Sequence, residues 1–133
     1  MNNEFQGISG INLLVDDYDK ALHFYCRLLG FKELENIDLG EGNRWVKLSA
    51  SLQQPNLGLI LSKAKTTSEK KLVGKQAGEG VLMILQTADF DQSYQRMRDN
   101  GITFTEQPRN EPYGKVVIFK DLYGNKWDLI QTV

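Results

Sequence analysis

Apolar and polar residues change their spacing several times along this chain, and the changes come in the same order twice. Residues Ile8 to Val15 are β-rich and mostly apolar, and Asp16-Asp17 then offers capping oxygens ahead of a run with a different period. In that run Ala21, Leu22, Tyr25, Cys26 and Leu29 recur at three- and four-residue spacing, which predicts a helix from about Tyr18 to Leu29, ended by Gly30 in the left-handed region. Extended segments are expected near Phe31 to Ile37, Arg44 to Ser51 and Leu57 to Ser62, separated by Gly40-Glu41-Gly42 and by Gln54-Pro55-Asn56.

Ser62 to Gly80 is polar, carries Lys63, Lys65, Lys70, Lys71 and Lys75, and has no sustained apolar period, so it reads as a linker or mobile loop. Beyond it the first pattern returns: a strand near Val81 to Thr87, a helix from Phe90 to Asn100, then extended segments near Ile102 to Gln107, Lys115 to Lys120 and Lys126 to Thr132. A shift of 72 residues lays Asp17-Tyr18-Asp19 on Asp89-Phe90-Asp91, Val15 on Thr87, Gly42 on Gly114 and Val46 on Ile118, and a one-residue slip lays Gly30 on Gly101. The matches fall at helix caps, at helix-ending glycines and before the third strands, which is the signature of duplication. The fold class is therefore α+β, with two repeated βαβββ modules, about 8–62 and 81–132, joined by a linker of about 63–80 in one domain, 1–133. A ferredoxin-type sandwich doubles βαβ and needs no third trailing strand.

With 133 residues and 41% hydrophobic content the chain builds one well-buried core. Sixteen basic against 17 acidic residues leave a net charge of -1 with no basic face, which argues against nucleic acid or an anionic membrane as partner. No apolar run approaches the ~20 residues needed to span a bilayer, and Met1 to Gly10 lacks the pattern of a secretory leader, so a cytoplasmic location is expected. Cys26 is a lone cysteine in an apolar helical pattern and reads as a core residue, and His23, the sole histidine, reads as a solvated helix residue. The two Gly-Glu-Gly stretches, at Gly40 and Gly78, do not follow a strand and open a helix, and so are turns rather than phosphate loops.

Val15-Asp16-Asp17 with Ala21 to Phe31 resembles the V-x-D…(A/S)-x-x-F-Y-x-x-x-L-G-F opening of the vicinal oxygen chelate superfamily, which includes glyoxalases, bleomycin resistance proteins and extradiol dioxygenases. Pro112-Tyr113-Gly114, Phe119-Lys120-Asp121 and Gly124-Asn125-Lys126-Trp127-Asp128-Leu129 resemble its closing P-Y-G…F-x-D-P-x-G-N-x-(W/I)-E-L stretch, with Leu122 in place of the proline. The resemblance implies curved mixed sheets with helices outside, and in metalloenzyme members a His or Glu on the first and last strands of each module. Those positions here align with Gly10, Leu82, Leu59 and Asp128, and a lone carboxylate cannot hold a catalytic metal, which takes about three protein ligands. No metal and no cofactor is expected.

If Gly10 and Leu82 face the concave side, strand alternation turns Asn12, Leu14, Ile84 and Gln86 to the same side. Asn12, Arg44, Trp45, Gln86, Tyr113, Phe119, Trp127 and Asp128 are the candidate ligand-binding residues: clustered aromatics with a few amides and charges suit a planar or amphipathic small molecule, although aromatics in a small sheet protein also serve simply as core. The expected function is binding of a small hydrophobic or aromatic molecule without a family-type metal, by a homodimer of the kind the resemblance implies, in which ligand sits between two chains. The alternatives are a metal-dependent lyase, isomerase or dioxygenase built around Asp128, and an assembly module whose concavity is filled by Leu14, Leu59 and Leu82.

Overall fold

In the computed structural model, which describes residues 4–53 and 57–133, the duplicated pattern becomes two sheets. β1 (Gly10–Val15) is followed by α1 (Tyr18–Leu22), then β2 (Lys32–Gly40), β3 (Asn43–Ser49) and β4 (Gly58–Lys63), giving a four-stranded sheet of order β1-β4-β3-β2. The second module runs β5 (Val81–Gln86), α3 (Phe90–Asp99), β6 (Thr103–Phe104), β7 (Arg109–Glu111), β8 (Gly114–Lys120) and β9 (Lys126–Thr132), in the order β5-β9-β8-β6 with β7 also paired to β8. In each module the first strand runs parallel to the last and lies at the sheet edge, and the remaining pairs are antiparallel. The extended segment expected at Ile102 to Gln107 holds only the two-residue β6, and a further short strand, β7, lies beyond it at Arg109–Glu111; the Gln54-Pro55-Asn56 turn lies outside the described residues.

Asp17 and Asp89 cap the two helices as the repeat requires, each side chain accepting from a backbone N–H three residues on (Lys20 and Gln92, 3.0 and 3.1 Å). After Leu22 the first helix widens into a π-helical stretch, His23–Leu28, in which Leu29 N donates to Phe24 O. In this stretch the consecutive residues Phe24 and Tyr25 both face the core, at 7% and 0% exposure.

One apolar cluster holds both modules together. The strand residues Leu13, Val15, Val46, Leu48, Leu59 and Leu61 from the first sheet and Val117, Phe119, Trp127 and Leu129 from the second all face the helices, joined by Tyr25, Leu29, Phe90 and Met97. Aromatic contacts cross the module boundary, with Tyr25 and Phe31 lying 5.8 and 6.0 Å from the Trp127 ring.

The linker is more ordered than its composition suggests. It contains α2 (Thr67–Leu72), started by a complete capping box in which Thr66 and Glu69 bond each other's backbone. Polar segments fold without an apolar period when caps satisfy the helix ends and a neighbour supplies the docking surface. Here Gly74, at φ +80°, packs so closely on the Tyr123 carbonyl that no side chain fits.

Candidate functional site

Each sheet has a helix side and an outer side, and strand register decides what lies on which. Ile11, Leu13 and Val15 share the helix side with Leu59 and Leu61, so Gly10, Asn12 and Leu14 lie on the outer side with Gly58, Ile60 and Ser62. Trp45 and Lys47 join that outer side, Trp45 opposite Ile37 on β2. In the second sheet Ile84, Gln86, Asp128 and Ile118 lie outward, Asp128 being the partner of both Ile84 and Ile118 in the ladder.

This register corrects the expected position of the first module's last-strand site. Ile11 pairs with Leu59 as Met83 pairs with Trp127, and Asn12 with Ile60 as Ile84 with Asp128. The mate of Asp128 is therefore Ile60, and Leu59 is a core residue at 6% exposure. A one-residue offset in a strand moves a side chain to the opposite face. The same offset separates the third strands, where Val46 matches Val117, on the helix side, rather than Ile118. Gly10, Leu82, Ile60 and Asp128 offer one carboxylate between them, and among the described residues no three His, Cys, Asp or Glu side chains come together as a metal site. These residues do not fit the metal of the enzyme members.

Of the eight candidates, Asn12, Trp45, Gln86 and Asp128 lie on the outer faces. Asn12 accepts from Ser62 Oγ at 3.1 Å, Gln86 donates to Thr132 Oγ1 at 2.9 Å, and the Trp45 indole donates to Glu35 at 3.0 Å. Burial pushes the Asp128 carboxyl up, an effect opposed by the Arg109 guanidinium and reinforced by Glu106. Arg109 is itself tied to Glu106 and Glu111 at 2.7 and 2.8 Å, which holds it above its usual range. Tyr113 sits half-exposed in the turn between β7 and β8.

The other three are elsewhere. Arg44 reaches back to the start of α1, where it forms a two-pronged pair with Asp19 at 2.9 and 3.0 Å and covers the Tyr18 ring. The pair lowers the Asp19 carboxyl. Phe119 is buried at 0% exposure between Phe104 and Trp127, and Trp127 itself is 3% exposed. The sequence of β8 carries no mark of which face is apolar, because Val116 to Phe119 is continuously hydrophobic, whereas Lys126-Trp127-Asp128-Leu129 in β9 alternates and puts Trp127 on the apolar face.

Between the modules lies a cavity of about 520 Å³. Its walls are Ile11, Phe31, Leu59, Met83, Leu85 and Trp127, with Ser49, Ala50, Ser51 and Gln86 at polar or open points. The size falls within the ~300–1,000 Å³ of small-molecule sites and the wall is of the usual kind, apolar with few polar groups. Of the eight candidates Gln86 and Trp127 line this cavity, and Phe31, Met83 and Leu85 line it without being among those candidates. For Met83 and Leu85 the only signal was apolar strand spacing, which core residues share, and Phe31 stood out only as the end of the Leu29-Gly30-Phe31 motif. A wider depression of about 900 Å³ beside the β2–β3 turn is walled by Asp16, Glu41, Lys63, Lys65 and Lys70, a charged and open groove.

The buried carboxylate at the module boundary is structural. Asp121, 6% exposed, accepts from Tyr25 Oη at 2.6 Å, from Asn125 Nδ2 at 2.9 Å, and from the backbone N–H groups of Tyr123 and Asn125, both at 2.9 Å. Trp127 Nε1 is buried beside the Tyr25 oxygen without making a hydrogen bond of good geometry.

Comparison with known proteins agrees with this architecture. The family described as the Glyoxalase/Bleomycin resistance protein/Dioxygenase superfamily matches residues 7–129. An uncharacterized protein of Shewanella frigidimarina (strain NCIMB 400) is 40% identical over 127 residues, covering 95% of this chain and 93% of the relative. The uncharacterized protein YurT of Bacillus subtilis (strain 168) is 30% identical over 121 residues, 90% of this chain and 94% of its own. Among solved structures, UcmS2 superposes with a TM-score of 0.82 at 25% identity, covering 95% of this chain and 98% of that one. TnmS3, described as an antibiotic binding protein from Streptomyces sp. CB03234, superposes with a TM-score of 0.77 at 24% identity, covering 99% and 100%.

Proposed function

Because this chain belongs to the glyoxalase/bleomycin resistance protein/dioxygenase superfamily, we propose that it binds a small hydrophobic or aromatic molecule without the metal of the enzyme members. The observation that carries this reading is the intermodule cavity, whose apolar wall and about 520 Å³ suit a ligand of that kind. The antibiotic-binding description of TnmS3, a protein of the same fold, points the same way. The lone carboxylate among the four family metal positions supports a role that does not depend on one.

The working form is a cytoplasmic homodimer. Ile84, at 68% exposure, and Ile37 and Trp45, at 50% and 39%, leave apolar area on the outer sheet faces that a second copy would cover. Gln86 lines the cavity and would orient a ligand held there, while Asn12 and Asp128 lie on the outer faces, outside the cavity wall.

The test is a thermal-shift screen of aromatic and apolar metabolites and drugs, repeated with Ala50→Trp, which fills the cavity mouth from an exposed position. A compound that raises the melting temperature of the natural protein and not of the variant supports the assignment. Binding unchanged by Ala50→Trp, or a stoichiometric divalent ion held by Asp128 and two further side chains, overturns it.

A further inference from the structure

β1 and β5 are equivalent edge strands, and the two edges differ in one respect. The Ser9 and Val15 carbonyls accept from Gly58 and Ala64, so the backbone groups of odd-numbered residues in β1 point to β4 and those of Asn12 and Leu14 point outward. In the second module Thr87 N donates to Ile130 O, and the same alternation turns the groups of Ile84 and Gln86 outward. In the duplicated register Asn12 corresponds to Ile84 and Leu14 to Gln86.

At β1 those outward groups are taken by a side chain. Leu14 N donates to Gln76 Oε1 at 2.7 Å, and Gln76 Nε2 donates to the Asn12 carbonyl at 3.1 Å. A primary amide carries the same donor and acceptor as a peptide group, so Gln76 continues the ladder as a one-residue strand. Among the described residues nothing corresponding covers Ile84 or Gln86, because the linker occurs once.

Gln76 is also held in place. The turn that carries it closes through Lys75 N to Leu72 O and Gly78 N to Lys75 O. Gly74 abuts the Tyr123 carbonyl, and the Tyr123 hydroxyl donates to Asp16 at 2.7 Å. The amide is therefore presented from an anchored backbone rather than from a free loop.

An open edge strand is a template for pairing with another chain, and natural proteins block such edges. We propose that Gln76 is an edge clamp: its amide occupies β1 in place of an added strand, so that a second copy of this chain cannot pair there and self-association is left to other surfaces. The proposal does not depend on any ligand in the intermodule cavity.

The test compares the natural protein with Gln76→Ala and Gln76→Lys by amide hydrogen exchange at Leu14 and by sedimentation over a range of concentrations. Gln76 is exposed, so both variants retain the fold, which the far- and near-ultraviolet circular dichroism checks. Both variants should raise Leu14 exchange about tenfold, the loss of one net hydrogen bond. Gln76→Ala should add species heavier than those of the natural protein, and Gln76→Lys should not, because a charge at the edge blocks pairing by itself. Leu14 exchange unchanged in Gln76→Ala, or a mass distribution identical to the natural protein at every concentration, overturns the proposal.

Discussion

The hydroxyl of Tyr25 donates to the carboxylate of Asp121 across 2.6 Å, linking the first module's helix to the second module's last hairpin, 96 residues further along the chain. Both groups are buried and the acceptor is a carboxylate, so the bond belongs to the stronger class. Tyr25→Phe keeps the ring contacts and leaves Asp121 one donor short. The expected cost is about 1.5–3 kcal/mol, read as a lower urea midpoint at unchanged slope.

The same contact sets a dependence on alkaline pH. Burial, together with the Asp121 charge, raises the Tyr25 hydroxyl well above its ordinary range, and burial with Asp16 raises that of Tyr123. A hydroxyl raised on folding contributes its full stability below the unfolded value of about 10 and loses it as the pH climbs through the folded one. Urea midpoints should hold steady from about pH 7 to 9 and fall above about pH 10, and the fall should be shallower in Tyr25→Phe. Equal slopes in the two proteins would remove Tyr25 as its source.

Gly74→Ala tests the docking of the linker. The added Cβ would meet the Tyr123 carbonyl, and φ of +80° is strained for any side chain. Because the linker is peripheral, it should undock rather than unfold the core: the melting temperature drops, the cost is about 1–3 kcal/mol, and exchange rises at Leu14 as Gln76 withdraws. Exchange confined to the natural rate would show that the linker stays seated.

Arg44→Ala should do little to stability despite the two short bonds to Asp19. The pair is solvated, Asp19 being 74% exposed, and such pairs contribute about 0–1 kcal/mol. A double-mutant cycle with Asp19→Ala, run at low and at high salt, measures the coupling directly. A coupling above about 2 kcal/mol would show that the contact with the Tyr18 ring shields the pair from water.

Much of the fold was legible in the chain itself. Capping aspartates, helix-ending glycines and the change from strand to helix spacing are local signals, and they occur twice, so element order and the βαβββ repeat followed from them. The helix interior was less legible: the apolar spacing of Ala21, Leu22, Tyr25, Cys26 and Leu29 is that of an α-helix and does not distinguish a π-helical stretch from one. The ordered linker was missed for a related reason, because Thr66, Glu69 and Gly74 act through caps and a close contact with Tyr123 rather than through a hydrophobic period.

The candidate site was legible in residue types and not in placement. Asn12, Trp45, Gln86 and Asp128 lie on the outer faces, Arg44 turns back to Asp19, and Phe119 and Trp127 lie in the core, with Trp127 also reaching the intermodule cavity. Local periodicity determined the modules and their order, and the resemblance to the superfamily marked the four positions that share a single carboxylate. Only the tertiary structure decided that Ile60 rather than Leu59 is the mate of Asp128, and that Tyr25 meets Asp121. Pairing between strands far apart in the chain sets the register, and a slip of one residue, invisible in composition or spacing, exchanges the two faces of a strand.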